Sequence, residues 1–207
     1  MKNNLEKIFD FLKISGNLKN VYRYGDVEIL NDESTADHSW RLALVAMIFV
    51  KELKLKINTE QALKLAIIHD LPESITGDIT ANRTMVDKKL RKKKEKNEIK
   101  AVNRLKNLLP EIQGREIHKL WHDYEYSKTK EAKFIKALDK IEAYINWIEA
   151  GYKYIVKCGD QHLIAIYPDK AVKDFPKLIP ILKILKQKMK KDIKKCGIEW
   201  IKEYENK

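Results

Sequence analysis

Three short segments of this chain combine histidine or aspartate with the apolar spacing of a helix. They are Ala36–Trp40, Ile67–Glu73 and Ala137–Ile141. Each segment puts an ionisable side chain on the apolar side of a predicted helix, where burying an unpaired charge is costly. One shared divalent metal ion would offset that cost, so the three segments together predict a metal site.

The spacing within each segment supports this interpretation. His38 begins a stripe that continues at intervals of four, seven and eleven residues, through Leu42, Val45 and Phe49. The other candidates lie four residues after an apolar side chain: His69 after Leu65, Asp70 after Ala66, and Asp139 after Ile135. Helical geometry therefore directs all four ionisable groups inward from three predicted helices.

Two buried aspartates close together would repel each other, and a divalent ion removes that conflict. Imidazole and carboxylate groups are good ligands for manganese, cobalt, iron, nickel or zinc. Two histidines and two aspartates also leave coordination positions free for water and substrate, as a catalytic metal site requires.

A second histidine–aspartate pair, His122-Asp123, acts as an internal comparison because its surroundings are charged and aromatic. His118 and His122 have the four-residue spacing of a zinc-protease helix, but Lys119 stands where the general base would be. We therefore predict that His118, His122 and His162 are not metal ligands.

The order His, His-Asp, Asp, with Glu73 one turn after the pair, resembles the HD superfamily of metal-dependent phosphohydrolases. More narrowly, it is similar to the branch of 5′-deoxynucleotidases that act on deoxyribonucleoside monophosphates. The resemblance covers roughly residues 5–150. The matching segments are Glu33–His38, Ile68–Glu73, Gly77–Ile79, Leu109–Glu111, Trp121–Glu125 and Glu131–Lys140.

The resemblance implies a role for several residues. It makes His38, His69, Asp70 and Asp139 the ligands of one divalent ion, which could be Mn, Co, Mg, Fe, Ni or Zn. Glu73 would orient or deprotonate the attacking water, and Asp78 would support the water or the substrate. From the residues alone, Glu73 could instead be a surface acid at a helix end, and Asp78 could cap a turn.

The resemblance also implies that Arg23 and Tyr24 contact the substrate. The planar guanidinium of Arg23 suits phosphate oxygens, although an ordinary loop cation is an equally simple reading. Relatives often carry tryptophan one or two residues after this arginine, whereas this chain has Tyr24 and Gly25. Recognition of the sugar or base is therefore expected to differ.

Helical periodicity dominates the chain and predicts an all-α fold, a single-domain helical bundle of the HD-domain type. We expect a phosphohydrolase core over residues 1–151 and a C-terminal helical extension over 152–207 that packs on the same domain. The predicted helices are one through Leu5–Leu12 that stops near Gly16, one capped by Ser34 or Thr35 that reaches Leu53, one capped by Thr59 and kinked or ended at Pro72, then 87–109, 113–126, 129–150, and one or two over 179–204. Residues 152–168 are ambiguous and include the strand-like Tyr154-Ile155-Val156.

Composition narrows the function classes. The chain has 207 residues, 44% of them apolar, and a net charge of +12. Its longest apolar run, Leu42–Val50, is far too short for a bilayer span, and no signal peptide precedes the first helix, so we expect a cytoplasmic protein. Cys158 and Cys196 lack metal or redox spacing.

The basic run Lys88–Lys106 holds ten Lys or Arg residues against two Glu. It lacks the interleaved aromatic residues that stack on bases, so a solvated helix face is the simpler interpretation and nucleic acid is an unlikely partner.

The leading hypothesis is a metal-dependent 5′-nucleotidase that releases phosphate from deoxyribonucleoside 5′-monophosphates. The alternatives are an HD-type hydrolase of another nucleotide or phosphate ester, such as a triphosphate, and a non-catalytic relative that binds nucleic acid. Aromatic residues of the 117–150 region could form either a helical dimer interface or core packing. They are Trp121, Tyr124, Tyr126 and Trp147. The resemblance favours a homodimer.

Overall fold

The computed structural model describes residues 3–23, 33–151 and 161–205. The described residues form helices joined by turns and loops, together with an isolated antiparallel bridge between Tyr22 and Ser34. The α-helices are α1 (Asn4–Ser15), α2 (Thr35–Glu52), α3 (Thr59–Ile68), α4 (Glu73–Thr76), α5 (Ala81–Val86), α6 (Lys88–Leu108), α7 (Glu111–Glu125), α8 (Lys130–Ala150), α9 (Gln161–Ile166), α10 (Asp169–Val172) and α11 (Ile179–Lys195). The predicted all-α, single-domain class is confirmed.

Polar caps set the starts of the helices that carry the site. Ser34 caps α2 and forms a capping box with Asp37, which satisfies two backbone donors that the first turn leaves free. Thr129 caps α8. The expected cap at Thr59 is wrong by one residue: the side chain of Asn58 accepts the hydrogen bond, and Thr59 is the first helical residue.

The turn after α3 differs from the sequence expectation. The helix ends at Ile68, four residues before Pro72, and the chain turns through His69–Pro72 before α4 begins at Glu73. Pro72 is already outside α3, so it removes no hydrogen bond from that helix. This turn brings Asp70 and Glu73 back toward α2, and Gly77, with φ of 72°, ends α4 in a conformation that favours glycine.

Helices α2, α3, α7, α8 and α11 pack around the main core, in which α11 contacts α8. The largest fully buried side chains include Trp121, Trp147, Tyr144, Phe134 and Leu42. The aromatic residues Trp121, Tyr124 and Trp147 are therefore core residues rather than an exposed interface, whereas Tyr126 is exposed. The division of the chain near residue 151 stays a prediction, and Tyr154-Ile155-Val156 lies outside the described residues.

Helix α1 forms a second, smaller core with α6 through Phe11, Leu105 and Leu109. The predicted boundaries of α1 are confirmed, but Leu5, Phe9 and Leu12 of its apolar stripe are exposed. Apolar spacing identified the helix correctly; it did not identify the face that packs, because Phe11 rather than Phe9 turns toward α6.

Candidate active site

The four predicted ligands come together although they start from separate parts of the chain. His38 lies in the first turns of α2, Asp139 lies in the middle of α8, and His69 and Asp70 lie in the turn that follows α3. Both histidines and Asp139 are buried, and the Asp70 side chain is 24% exposed. Helix α3 thus delivers its pair from its end rather than from its inner face.

The distances define a compact cluster. The Nε2 atoms of His38 and His69 are 3.2 Å apart. Asp139 Oδ1 lies 3.3 Å from His38 Nε2, and Asp70 Oδ2 lies 3.0 Å from His69 Nε2 and 3.9 Å from His38 Nε2. One donor atom each of His38, His69 and Asp139 fits within a span of 4.8 Å. This cluster could hold a metal ion.

The second nitrogen of each imidazole explains why the first one faces the cluster. His69 Nδ1 lies 2.8 Å from the carbonyl oxygen of Ala66, and His38 Nδ1 contacts a carboxylate oxygen of Glu142. The Ala66 carbonyl oxygen can only accept a hydrogen bond, so we assign the proton of a neutral His69 ring to Nδ1. His38 Nδ1 lies beside both the Glu142 carboxylate, which can only accept, and Arg23 Nη1 at 2.5 Å, which can only donate. Because Glu142 is the acceptor there, we assign the proton of a neutral His38 ring to Nδ1 as well. Two Nε2 lone pairs and two carboxylates then converge, and a cation is the species that satisfies all of them.

Asp139 is held in place by two donors on its other oxygen. Oδ2 accepts hydrogen bonds from the Tyr124 hydroxyl at 3.1 Å and from Lys140 Nζ at 3.0 Å. Burial opposes ionisation of Asp139, but Lys140 and His38 outweigh it and hold the pKa of this carboxyl well below its ordinary value. Asp139 is therefore a carboxylate. Its Oδ1 atom, which Tyr124 and Lys140 do not contact, is directed at the histidines.

The protonation states of Asp70 and His38 also depend on burial, which opposes charge, and on neighbouring charged groups. Burial also opposes ionisation of Asp70, yet His69 and His38 lower its pKa. For His38, burial and Arg23 oppose protonation, but Glu142 and Asp139 raise the pKa to about 9. In the metal-free protein His38 is thus an imidazolium at neutral pH, and a metal ion would displace its proton.

Glu142 anchors a network behind His38. Its carboxylate accepts hydrogen bonds from Arg41 Nε at 2.6 Å and from Arg23 Nη1 at 3.1 Å, and both guanidiniums also pair with Glu33. Glu33, His38 and Glu142 form a second group with metal-ligand geometry. Because the two arginines already neutralise its carboxylates, we assign this group to orienting His38.

Glu73 is 3% exposed, so it is not the surface acid that the sequence left open. Its Oε2 accepts a hydrogen bond from the Thr35 hydroxyl at 3.2 Å, and its Oε1 accepts one from Lys94 Nζ at 3.0 Å. Burial and the nearby charge of Asp70 raise the pKa of Glu73 well above its ordinary value, and Lys94 opposes that rise.

A cavity of about 720 Å³ opens beside the cluster and is large enough for a nucleotide-sized ligand. The predicted residues His69, Asp70, Glu73, Asp78 and Asp139 line it, as does Arg23. Its cationic side chains also include Arg91, Lys94, Lys136, Lys140 and Lys170. Carboxylates of Glu95, Glu98 and Glu125 line the cavity too, so its cations and acids nearly balance. A divalent ion in the cluster would add the positive charge that favours an anionic ligand.

The remaining predicted residues have different outcomes. Asp78 lines the cavity with Oδ1 3.9 Å from Lys94 Nζ. Arg23 is tied into the site by its ion pairs, so it is not an ordinary loop cation, whereas Tyr24 lies outside the described residues. His118, His122 and His162 belong to neither of the two metal-competent groups in residues 3–23, 33–151 and 161–205.

Sequence reasoning missed Glu142, Lys94 and Lys140. Glu142 could have been predicted from the sequence, because it follows Asp139 by three residues and therefore lies on the same buried face of α8. Lys94 had none, because it stands among ten basic residues of similar appearance.

A family model for the HD domain matches residues 15–178 of this chain. The Xenopus laevis 5′-deoxynucleotidase HDDC2 is 34% identical over 146 residues, which cover 70% of this chain and 69% of that protein. The human HDDC2 protein is 35% identical over 137 residues, which cover 65% of this chain and 64% of that protein. The aligned segment thus spans slightly less than two thirds of the human relative.

Solved structures share the fold. A structure described as a predicted metal-dependent phosphohydrolase from Magnetospirillum magnetotacticum superposes with a TM-score of 0.70 at 22% identity and covers 96% of this chain and 100% of that one. A conserved hypothetical protein from Pyrococcus furiosus superposes with a TM-score of 0.63 at 31% identity and covers 86% and 99% of the two chains.

Proposed function

This chain belongs to the HD domain family, and we propose that it is a metal-dependent phosphohydrolase that removes phosphate from deoxyribonucleoside 5′-monophosphates. The observation that carries the proposal is the convergence of the Nε2 atoms of two histidines and of two carboxylates beside a nucleotide-sized cavity. The relatives named 5′-deoxynucleotidase support the choice of substrate class.

In this proposal His38, His69, Asp70 and Asp139 hold one divalent ion. Such an ion supplies Lewis acidity to a water molecule and to the phosphoryl oxygens. The chain contributes the preorganised donor set: Ala66 and Glu142 fix the two rings, and Tyr124 and Lys140 fix Asp139.

Glu73 is the proposed general base. It is the first residue of α4, and its backbone N–H donates a hydrogen bond to the Asp70 carbonyl oxygen with the nitrogen 2.9 Å from that oxygen. A raised pKa suits the role, because a base works best when its pKa approaches the working pH. Glu73 takes a proton from the attacking water, the new P–O bond forms as the bond to O5′ breaks, the departing O5′ takes a proton from solvent, and Glu73 then releases its proton to solvent.

The substrate side of the cavity is assigned to residues around the cluster. Arg23 has a forked guanidinium suited to phosphate oxygens, and Asp78 supports the attacking water or the sugar. Tyr24 follows Arg23 directly, and we retain it as a predicted substrate contact.

A second candidate keeps the chemistry and changes the substrate to another nucleotide or phosphate ester. Its support is that Tyr167 and Lys170, which lie beyond the motifs matched to the 5′-deoxynucleotidases in the sequence, line the same cavity. Several additional cations there would also suit a longer phosphate chain. The two candidates differ in product, because a nucleotidase frees orthophosphate whereas a triphosphohydrolase frees tripolyphosphate.

None of the helices in the described ranges has the length and apolar character to cross a membrane. We further propose that the protein works in the cytoplasm as a homodimer, which light scattering after size exclusion would test through the molar mass.

A panel of deoxy- and ribonucleoside 5′-monophosphates tests the main proposal. Chelator-stripped protein would be supplied in turn with manganese, cobalt, magnesium or zinc, and released orthophosphate measured. Metal-dependent release that favours the deoxy sugars is the expected result. An absence of release with every metal would refute the nucleotidase assignment, and release of tripolyphosphate from triphosphates would favour the second candidate.

A further inference from the structure

The basic helix α6 sends one of its lysines into the active-site cavity. Lys92, Lys93 and Lys96 are exposed, whereas the Lys94 side chain is 24% exposed and lines the cavity. The basic run, which the sequence suggests is a solvated surface, therefore contributes Lys94, as well as Arg91, to the lining of the site.

Lys94 Nζ contacts four oxygen atoms. It lies 3.0 Å from Glu73 Oε1, 3.4 Å from the Ile79 carbonyl oxygen, 3.5 Å from Glu98 Oε1 and 3.9 Å from Asp78 Oδ1. An ammonium group has three N–H donors. The contacts with Glu73, Ile79 and Glu98 are enough to occupy them, so Lys94 is held among protein acceptors rather than presented to a ligand.

The Glu73 carboxylate is fixed between two donors. Lys94 holds Oε1, and the buried Thr35 hydroxyl lies 3.2 Å from Oε2. That hydroxyl also lies 3.3 Å from the Val21 carbonyl oxygen, and its single proton can serve only one acceptor at a time. Lys94 is therefore the firmer of the two restraints on the carboxylate.

We propose that Lys94 is a positioning residue, whose ion pair holds the Glu73 carboxylate in the orientation from which it accepts the proton of the attacking water. This inference rests on the proposed function, which makes Glu73 the base. Because the reacting groups must be aligned closely, a restraint on the base affects turnover more than substrate affinity.

The chain offers a matched control one residue away. Lys94→Met and Lys93→Met each remove one positive charge from the same helix and replace it with an unbranched apolar side chain. Lys93 is exposed, so its variant reports any effect of net charge or of helix composition. Bound manganese and melting temperature would be measured for both variants.

Lys94→Met is expected to lower kcat by about ten- to hundredfold while KM stays within twofold, consistent with the usual contribution of a positioned base. Lys93→Met is expected to match wild type. Lys94→Arg keeps a cation at this position and should retain more turnover than Lys94→Met. It also keeps the proposal testable if Lys94→Met fails to fold.

The decisive arm is a double-variant cycle with Glu73→Gln, measured under single turnover with enzyme in excess. If Lys94 acts through Glu73, adding Lys94→Met to Glu73→Gln should change the rate by less than twofold. Losses that multiply, or a raised KM with unchanged kcat, would overturn the proposal. Wild-type turnover with an unaffected Lys94→Met variant would overturn this inference alone, whereas a wild-type protein without phosphate release would overturn the proposed function as well.

Discussion

The chain contains two histidine–aspartate pairs that have opposite fates. His69-Asp70 lies in the turn after α3, where His69 Nε2 faces His38 and Asp70 contacts both imidazoles. His122-Asp123 lies within α7, where the His122 ring stacks on Tyr126 with centroids 5.2 Å apart and Asp123 pairs with the exposed Lys119.

The difference between the pairs comes from what other helices bring to them. Around His69-Asp70, α2 supplies His38, α8 supplies Asp139, and Ala66 fixes the ring through Nδ1. Around His122-Asp123, the partners are Lys119 of the same helix and Tyr126 directly after it, and within residues 3–23, 33–151 and 161–205 no third ligand completes a metal-competent group. A dipeptide becomes a metal site only when distant segments supply the remaining ligands and orient them.

Alanine substitution of the two histidines should separate the pairs by the largest margin. His69→Ala removes a proposed ligand and is expected to abolish metal retention and to lower turnover by at least about a thousandfold, because the metal chemistry is lost. His122→Ala should retain both. Metal content by mass spectrometry and phosphate release would be measured on both variants, and equal behaviour would contradict the distinction.

The effect of Glu73 should be large but of a different kind. Glu73→Ala removes the proposed base and leaves the four ligands intact, so turnover should fall by about a hundred- to ten-thousandfold with the metal retained. The same two measurements apply. Wild-type turnover would show that the base assignment is wrong, and loss of the metal would assign Glu73 to the coordination site.

Glu142 tests the layer behind the ligands. Glu142→Gln replaces the carboxylate that orients His38 with a neutral amide. We expect metal affinity to fall by about ten- to hundredfold. Glu149→Gln is the control, because Glu149 pairs with the same Arg41 but does not touch His38. A manganese titration of both variants measures the effect, and equal affinities would remove the orienting role.

Metal affinity should also depend on pH. The pKa of His38 in the metal-free protein is about 9, so below that pH the metal must displace a proton. Apparent affinity should therefore rise by up to about tenfold per pH unit toward pH 9. Titrations with manganese at pH 6.5 and 8.5 test the sign, and an affinity that is flat or falls with pH would contradict it.

The smallest expected effect concerns the second pair. Asp123→Asn removes the ion pair with Lys119, whose side chain is 71% exposed. The free energy of unfolding should fall by about 1 kcal/mol or less. Turnover should stay at the wild-type level. Urea unfolding measures the loss of stability, and a loss of bound metal would give Asp123 a role that the structure does not assign to it.

Sequence periodicity was sufficient to place His38 and Asp139, because each continues an apolar stripe of a long helix that faces the core. It was less successful for Asp70, which was expected on the inner face of a helix and lies in the turn after α3. The residue at which α3 ends depends on packing against α2 and α8. A local sequence pattern does not predict that packing.

The residues behind the ligands show where sequence reasoning stops. Lys94 differs from Lys93 only in which side of α6 it occupies, and that side is set by the contact of α6 with α4. Similarly, Phe11 rather than Phe9 packs against α6, although both fit an amphipathic helix. Which side of a helix packs depends on long-range contacts, and the local pattern of one sequence does not reveal those contacts.

The central claim is that one divalent ion, held by His38, His69, Asp70 and Asp139, is required for phosphate release. Its most direct test is a titration of chelator-stripped protein with manganese, in which bound metal and the rate of phosphate release from a deoxyribonucleoside 5′-monophosphate are measured in the same samples. The rate is expected to rise in proportion to bound metal and to saturate at one ion per chain. Full turnover by the stripped protein, or an occupied site without turnover, would contradict it.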